Sequence, residues 1–262
     1  KPFRLDDPPV AFLRPRLSFP FAWAGHIPFA YLLIDLLRPR SLVELGTDSG
    51  NSYLAFCQAI RHLGAETHCT AIDSWEGDAH ARKYADDVYL GLKAYHDPLY
   101  GSFSYLKRAF FEDAVADFAD GSIDLLHVDG LHSYEAVRND FETWLPKLSD
   151  RAVVLFHDTQ VRDRGFGVYR LIEELAGHYP TFDFAHSNGL GVVQVGAHAP
   201  EEFKAFMQAA QAEPERMREC FSQLGQTIVH ADGGAPTRVE VTTPDLVCSL
   251  FYRQRDGHFS EE

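Results

Sequence analysis

The chain has 262 residues, 45% hydrophobic and 24% charged, which suits one large globular domain with elaborations. Its 38 acidic against 24 basic residues give a formal net charge of −14, which argues against a nucleic-acid backbone or an anionic membrane surface as partner. Cys57, Cys69, Cys220 and Cys248 are scattered without a CxxC pair, so zinc-finger spacing is excluded and reduced thiols in a cytoplasmic protein are expected.

The opening KPFRLDDPP is polar and proline-rich and does not read as a signal peptide. Because the first residue is Lys rather than Met, residues 1–20 are expected to be an N-terminal extension or the linker end of an excised domain. IPFAYLLIDLL (27–37) is too short to span a bilayer and carries Asp35, so it predicts a core helix with Pro28 in its first turn. Four β-rich runs follow: SLVELG (41–46), HCTAID (68–73), IDLLHVD (123–129) and AVVLFHD (152–158). The stretch NSYLAFCQAIRHLG between the first two has apolar residues at helical spacing and a stop at Gly64. Between the last two, SYEAVRNDFETWLPKL has Ser133 as a plausible N-cap and an apolar stripe of Ala136, Val137, Phe141, Trp144 and Leu145. After a further helix, GVYRLIEELAGHY, the stretch FDFAHSNGLGVVQVG predicts a β-hairpin turning at Ser187, Asn188 and Gly189.

This order predicts an α/β fold, a Rossmann-like doubly wound and mostly parallel sheet ending in an antiparallel β-hairpin, over residues 21–196. The aromatic-rich segment 75–109 reads as an insertion that could cover the strand ends or, equally, as a packed helical excursion. Residues 197–262 read as a C-terminal extension with a polar helix and strand-like pieces, QTIVHA and RVEVTT.

VELGTDSGNS (43–52) is a strand, a glycine turn and a helix start, which aims backbone N–H groups at a ligand. Gly46 and Gly50 do not make GxGxxG, and Asp48 between them would repel a pyrophosphate, which disfavours a nicotinamide oxidoreductase. S-adenosylmethionine, with no phosphate and a cationic sulfonium and amine, suits an acid-rich turn of Gly46, Thr47, Asp48 and Gly50 better. Glu44 could then face the methionine amine, and Ser52 or the amides near Asn51 its carboxylate. Asp73, at the end of the second run, is placed to hold ribose hydroxyls, with Ser74 beside it and Trp75 against adenine. In FEDA, Glu112 or Asp113 could bond the adenine amino group.

Two oily runs stop at titratable groups, the first at Asp129 with His132 beyond, the second at His157 and Asp158. A packed core has no use for such groups unless something binds there. Two carboxylates on neighbouring strand ends can reach one divalent cation, magnesium or manganese by ligand hardness, and a His in the shell shifts preference toward manganese, iron or zinc. His127, inside its run, reads as a satisfied core residue, and Trp23 and His26 as core packing that could close over the site.

VELGTDSGNS, AIDSWEGD, IDLLHVDGLHSYEAVRNDFETWLP and VVLFHDT resemble class I S-adenosylmethionine-dependent methyltransferases, more narrowly the metal-dependent macrocin O-methyltransferase type, over about residues 20–196. The resemblance implies methyl transfer to a hydroxyl of a sugar or glycan, His132 as general base, and a metal on Asp129 and Asp158, with Asp129 also bordering the cofactor. A second carboxyl or amide expected beside Asp158 is replaced by His157 or Thr159, so His157 is the candidate third ligand. Similar domains occur beside glycosyltransferases in polysaccharide systems, which implies a small-molecule or glycan acceptor and either a place in a larger glycosyltransferase chain or a homo-oligomer. The alternative is a module that keeps the fold without the chemistry and binds glycan or scaffolds a polysaccharide-synthesis enzyme.

Overall fold

A computed structural model of the chain describes residues 13, 15–77 and 86–230. A 3₁₀ turn at Ala24–His26 leads into α1 (Ile27–Leu37), and then β1 (Ser41–Leu45), α2 (Asn51–Leu63) and β2 (His68–Asp73) follow. Next come α3 (Asp86–Tyr100), β3 (Ser104–Arg108), α4 (Phe111–Ala114), β4 (Ile123–Val128) and α5 (Tyr134–Trp144). The remaining elements are β5 (Leu148–His157), α6 (Val168–Leu175), β6 (Thr181–Phe184), β7 (Leu190–Gln194), α7 (Glu201–Ala212) and α8 (Pro214–His230).

The strands form one seven-stranded sheet in the order β3-β2-β1-β4-β5-β7-β6, parallel except for β7, which pairs antiparallel with β5 and β6. Strand alternation divides the core into two layers. Leu42, Leu125, Val153 and Leu155 face α1, α2, α7 and α8. Val43, Leu126, Val154 and Phe156 face α5 and α6. The anticipated helix signals hold: Ser133 Oγ accepts from Ala136 N at 3.3 Å, and Gly64 closes α2 at φ +58°.

Two expectations are corrected. The segment 75–109 supplies a helix and an edge strand of the sheet, α3 and β3, rather than an insertion laid over it. Its residues 78–85 lie outside the described residues. The described part of the C-terminal extension, 197–230, packs on the sheet, with Phe203, Phe206, Met217 and Phe221 buried in the same cluster as α1. QTIVHA up to His230 continues α8 as helix, while RVEVTT and Cys248 fall outside the described residues. Among the described residues, no helix is long and apolar enough to cross a membrane.

Parallel register sets the site. Ile72, Leu45, Val128 and Phe156 lie level across β2, β1, β4 and β5. The next residues, Asp73, Gly46, Asp129 and His157, therefore emerge in a row at the carboxyl edge, where open α/β sheets bind ligands.

Candidate active site

The glycine turn is held from both sides. Gly46 has φ +85°, and a Cβ there would lie 2.1 Å from the Asp129 carbonyl oxygen, so the turn touches the end of β4. Asp73 Oδ2 accepts from Thr47 N at 2.8 Å and Asp48 N at 2.9 Å, and its Oδ1 accepts from Trp75 N at 2.7 Å. Trp75 is 1% exposed, donates Nε1–H to the Asp48 carbonyl at 2.9 Å and leans on Tyr89. The indole thus braces the turn from behind and has no open face of the kind expected against adenine. Asp73 does likewise, although its Oδ1 keeps capacity for a further donor.

Asn51 is also engaged within the chain. Its Oδ1 accepts from Ser18 N at 2.9 Å, and its Nδ2 donates to the carbonyls of Ser18 and Pro20, both at 2.7 Å. The side chain staples the N-terminal segment to the start of α2, and Asp73 takes the Thr47 and Asp48 amides, which leaves the helix-start amides near Asn51 for a carboxylate. Glu44 is fully buried beside His127, with Oε2 2.8 Å from Nδ1. Trp23 Nε1–H, which can only donate, reaches His127 Nε2 at 3.1 Å, so Nδ1 carries the proton given to Glu44. His127 is the satisfied core residue expected of it, and burial, offset in part by His127, raises the Glu44 carboxyl. Trp23 and His26 are likewise buried.

The strand-end acids and imidazoles do converge. His132 Nε2 lies 2.8 Å from Asp158 Oδ2 and 3.3 Å from Asp129 Oδ1. His157 Nδ1 lies 3.2 Å from the same Asp129 oxygen, while its Nε2–H donates to the Ser187 carbonyl at 3.0 Å. Asp158, in the left-handed region at φ +62°, keeps Oδ1 buried without a hydrogen-bond partner among the described residues. Burial alone would raise the Asp129 and Asp158 carboxyls, but His157 and His132 reverse this and hold both below the usual range. Burial would lower His132, yet the two carboxylates push it up to about 10, and His157 is raised for the same reason.

Candidate ligand atoms of Asp129, His132 and Asp158 all lie within 4.8 Å of one another, and the two hard carboxylate oxygens fit a divalent cation with an imidazole beside it. The orphaned Asp158 Oδ1 supports that fit. His157, the expected third ligand, is turned onto Ser187 and Asp129, while His132 stands between the two carboxylates. The Thr159 hydroxyl donates to Asp183 Oδ1 at 2.5 Å and is occupied elsewhere.

Glu112 and Asp113 sit exposed on the first turn of α4. Sequence reasoning missed two neighbours of the site. Phe166 stacks on His132 with centroids 4.6 Å apart and planes 9° from parallel, and Gly167 N donates to the His132 carbonyl at 2.8 Å. No local signal marks a loop phenylalanine for that place. Asp140 of α5 lies by Gly130 and Phe111, and burial followed by Glu112 raises its carboxyl to about 7. As one acid among the polar residues of an amphipathic helix, it gives no warning in the sequence.

The chain is similar to known proteins in sequence and in fold. Residues 43–159 match the family model described as a methyltransferase domain. The uncharacterized protein y4gI of Sinorhizobium fredii is 48% identical over 180 residues, 69% of this chain and 20% of that protein, so the chain spans about a fifth of that relative. The SAH-bound methyltransferase PaMTH1 of Podospora anserina superposes with a TM-score of 0.50 at 15% identity, covering 64% of this chain and 77% of that one. The O-methyltransferase TomG of Streptomyces achromogenes, in complex with SAM, gives a TM-score of 0.47 at 17% identity, with 71% and 93% covered. At such identities the likeness is one of fold. The strand order, with its one antiparallel member at β7, is the class I methyltransferase arrangement.

Proposed function

We propose that the protein transfers the methyl group of S-adenosylmethionine to a hydroxyl oxygen, with a sugar or glycan as acceptor. The observation that carries this reading is the joining of Asp129, His132 and Asp158 in one group beside the Gly46 turn. The amides near Asn51, with Glu44, Ser52 and Asp73, would bind the cofactor's methionine and ribose parts, and the α4 acids its adenine edge. A neutral hydroxyl is a poor nucleophile, so its oxygen must be aligned with the methyl and lose its proton as it attacks. A divalent cation on Asp129 and Asp158 would lower the pKa of the acceptor oxygen and fix its direction.

His132 ties that charge balance to proton transfer. Held between two carboxylates and pushed up to about 10, its imidazole keeps its proton at neutral pH and cannot act as a base. Once positive charge balances Asp129 and Asp158, that proton is no longer gripped, and Nε2 is free to take one from the acceptor. Phe166 keeps the ring in plane while this happens. The sugar class rests on the sequence resemblance to the macrocin type.

The test is a mass-spectrometric screen of sugars and nucleotide sugars incubated with S-adenosylmethionine, with and without manganese. Gain of one methyl on a sugar hydroxyl, dependent on the metal, is expected. Methylation confined to phenols or amines would overturn the acceptor class. No calorimetric binding of S-adenosylmethionine would overturn the activity and leave a non-catalytic module.

A further inference from the structure

A second buried polar cluster, between α2, α3, β2 and β3, takes no part in this chemistry. Cys57 of α2 and Cys69 of β2 are 0% and 2% exposed, and their thiols hydrogen-bond to each other. Ser104, level with Cys69 in the β2–β3 register, accepts from Cys57 Sγ at 3.5 Å. The same Ser104 Oγ lies 2.6 Å from the Tyr53 hydroxyl and 2.7 Å from His96 Nε2. His96 Nδ1 is in turn 2.9 Å from Asp97 Oδ1, and the imidazole also bonds Cys57.

Core packing alone would fill this space with apolar side chains. Instead, one sulfur is given an imidazole backed by a carboxylate, and the other sulfur is given only its neighbour. That asymmetry separates an activated thiol from a resolving one. The electrostatics agree with the geometry: burial would raise Cys57, but hydrogen bonds with Cys69, His96 and Ser104 bring it down to about 7. Cys69, raised by burial and by Cys57, stays a thiol.

We propose that Cys57 and Cys69 are an oxidisable pair that reacts with small hydroperoxides, Cys57 attacking and Cys69 resolving. The Cys57 thiolate attacks one peroxide oxygen and the O–O bond breaks. The departing hydroxide or alkoxide takes the proton of the His96 imidazolium, leaving a sulfenic acid on Cys57. Cys69 sulfur then attacks Cys57 sulfur, the S–O bond breaks, and the hydroxyl leaves as water with the Cys69 proton. Two thiols lose two electrons and two protons to form one disulfide, and the hydroperoxide is reduced to an alcohol, or to water, plus one further water. Burial selects the reagent, since sulfurs 0% and 2% exposed are closed to a bulky disulfide and leave only the smallest oxidants as candidates. The pair stands at the opposite end of β2 from Asp73 and does not depend on the methyl-transfer reading.

The full chain is exposed to hydrogen peroxide, unfolded, alkylated and digested without reductant for mass spectrometry. A Cys57 peptide joined to a Cys69 peptide, two hydrogens lighter than their sum and released by dithiothreitol, is expected, with Cys220 still alkylated. In Cys69→Ser, Cys57 should gain one oxygen instead. His96→Gln should slow the reaction roughly 10-fold near neutral pH, as a thiol returned to its ordinary pKa range would. Alkylation of both cysteines after peroxide, or pairing of either with Cys220 or Cys248, would overturn the proposal. So would an equal rate in a His96→Gln protein with an unchanged circular dichroism spectrum.

Discussion

Strand β4 carries one aspartate near its start and another just past its end, and the two are treated in opposite ways. Asp124 is fully buried and fully served. Arg40 reaches it through N at 2.8 Å, Nε at 2.9 Å and a second guanidinium nitrogen at 2.8 Å, and Ser149 Oγ adds a bond at 2.6 Å. Burial would raise that carboxyl, but Arg40 and Ser149 hold it below its ordinary value with a charge that never leaves. At the other end, Asp129 and Asp158 are served by imidazoles whose protons can leave, and Asp158 Oδ1 has no donor among the described residues. A buried acid with every lone pair answered is structural. One answered only by removable protons is prepared for a ligand.

The sharpest way to break this contrast is to exchange what each end loses. Asp158→Asn should reduce methyl transfer by on the order of 10²–10⁴-fold while lowering the urea midpoint less than the loss of Asp124 does. An active Asp158→Asn enzyme would erase the distinction. Asp124→Ala should do the reverse, costing about 2–4 kcal/mol in urea unfolding while turnover per folded molecule stays unchanged.

A smaller effect sharpens the contrast through pH. His132 has a folded pKa of about 10 against an ordinary 6.5, so its stabilisation is complete below about 6.5 and is lost as pH rises toward about 10. The depressed Asp129 and Asp158 carboxyls contribute stability that is lost only as pH falls through their low folded values. Urea midpoints of the metal-free protein should therefore decline above neutrality, and His132→Gln should flatten that slope. The Arg40–Asp124 end adds no alkaline slope in this range, because the guanidinium keeps its proton.

What the sequence revealed follows the same physics. β1, β2, β4 and β5 were legible because parallel strands buried on both faces are unbroken apolar runs, and their polar ends mark the ligand edge. β3 was not, because as an edge strand it alternates burial and leaves Tyr105 63% exposed amid Lys107 and Arg108. The β-branched run Thr227–Val229 suggested a strand, yet Ile228, 9% exposed, belongs to the α1 cluster and continues α8. Packing overrode propensity there. At the site, Asp129, His132 and Asp158 could be named from strand ends, whereas the Asn51 staple and the Phe166 stack depend on segments that only the folded chain brings near.

Manganese titration followed by electron paramagnetic resonance, with S-adenosylhomocysteine present, tests the strand-end acids most directly. One saturable ion per wild-type chain is expected, bound more weakly as pH falls because protons compete with the metal for Asp129 and Asp158 and a protonated His132 repels it, and lost in Asp158→Asn. A wild-type chain with no saturable site, or a variant that binds manganese as tightly as the wild type, would contradict the reading of this edge as a cation-assisted active site.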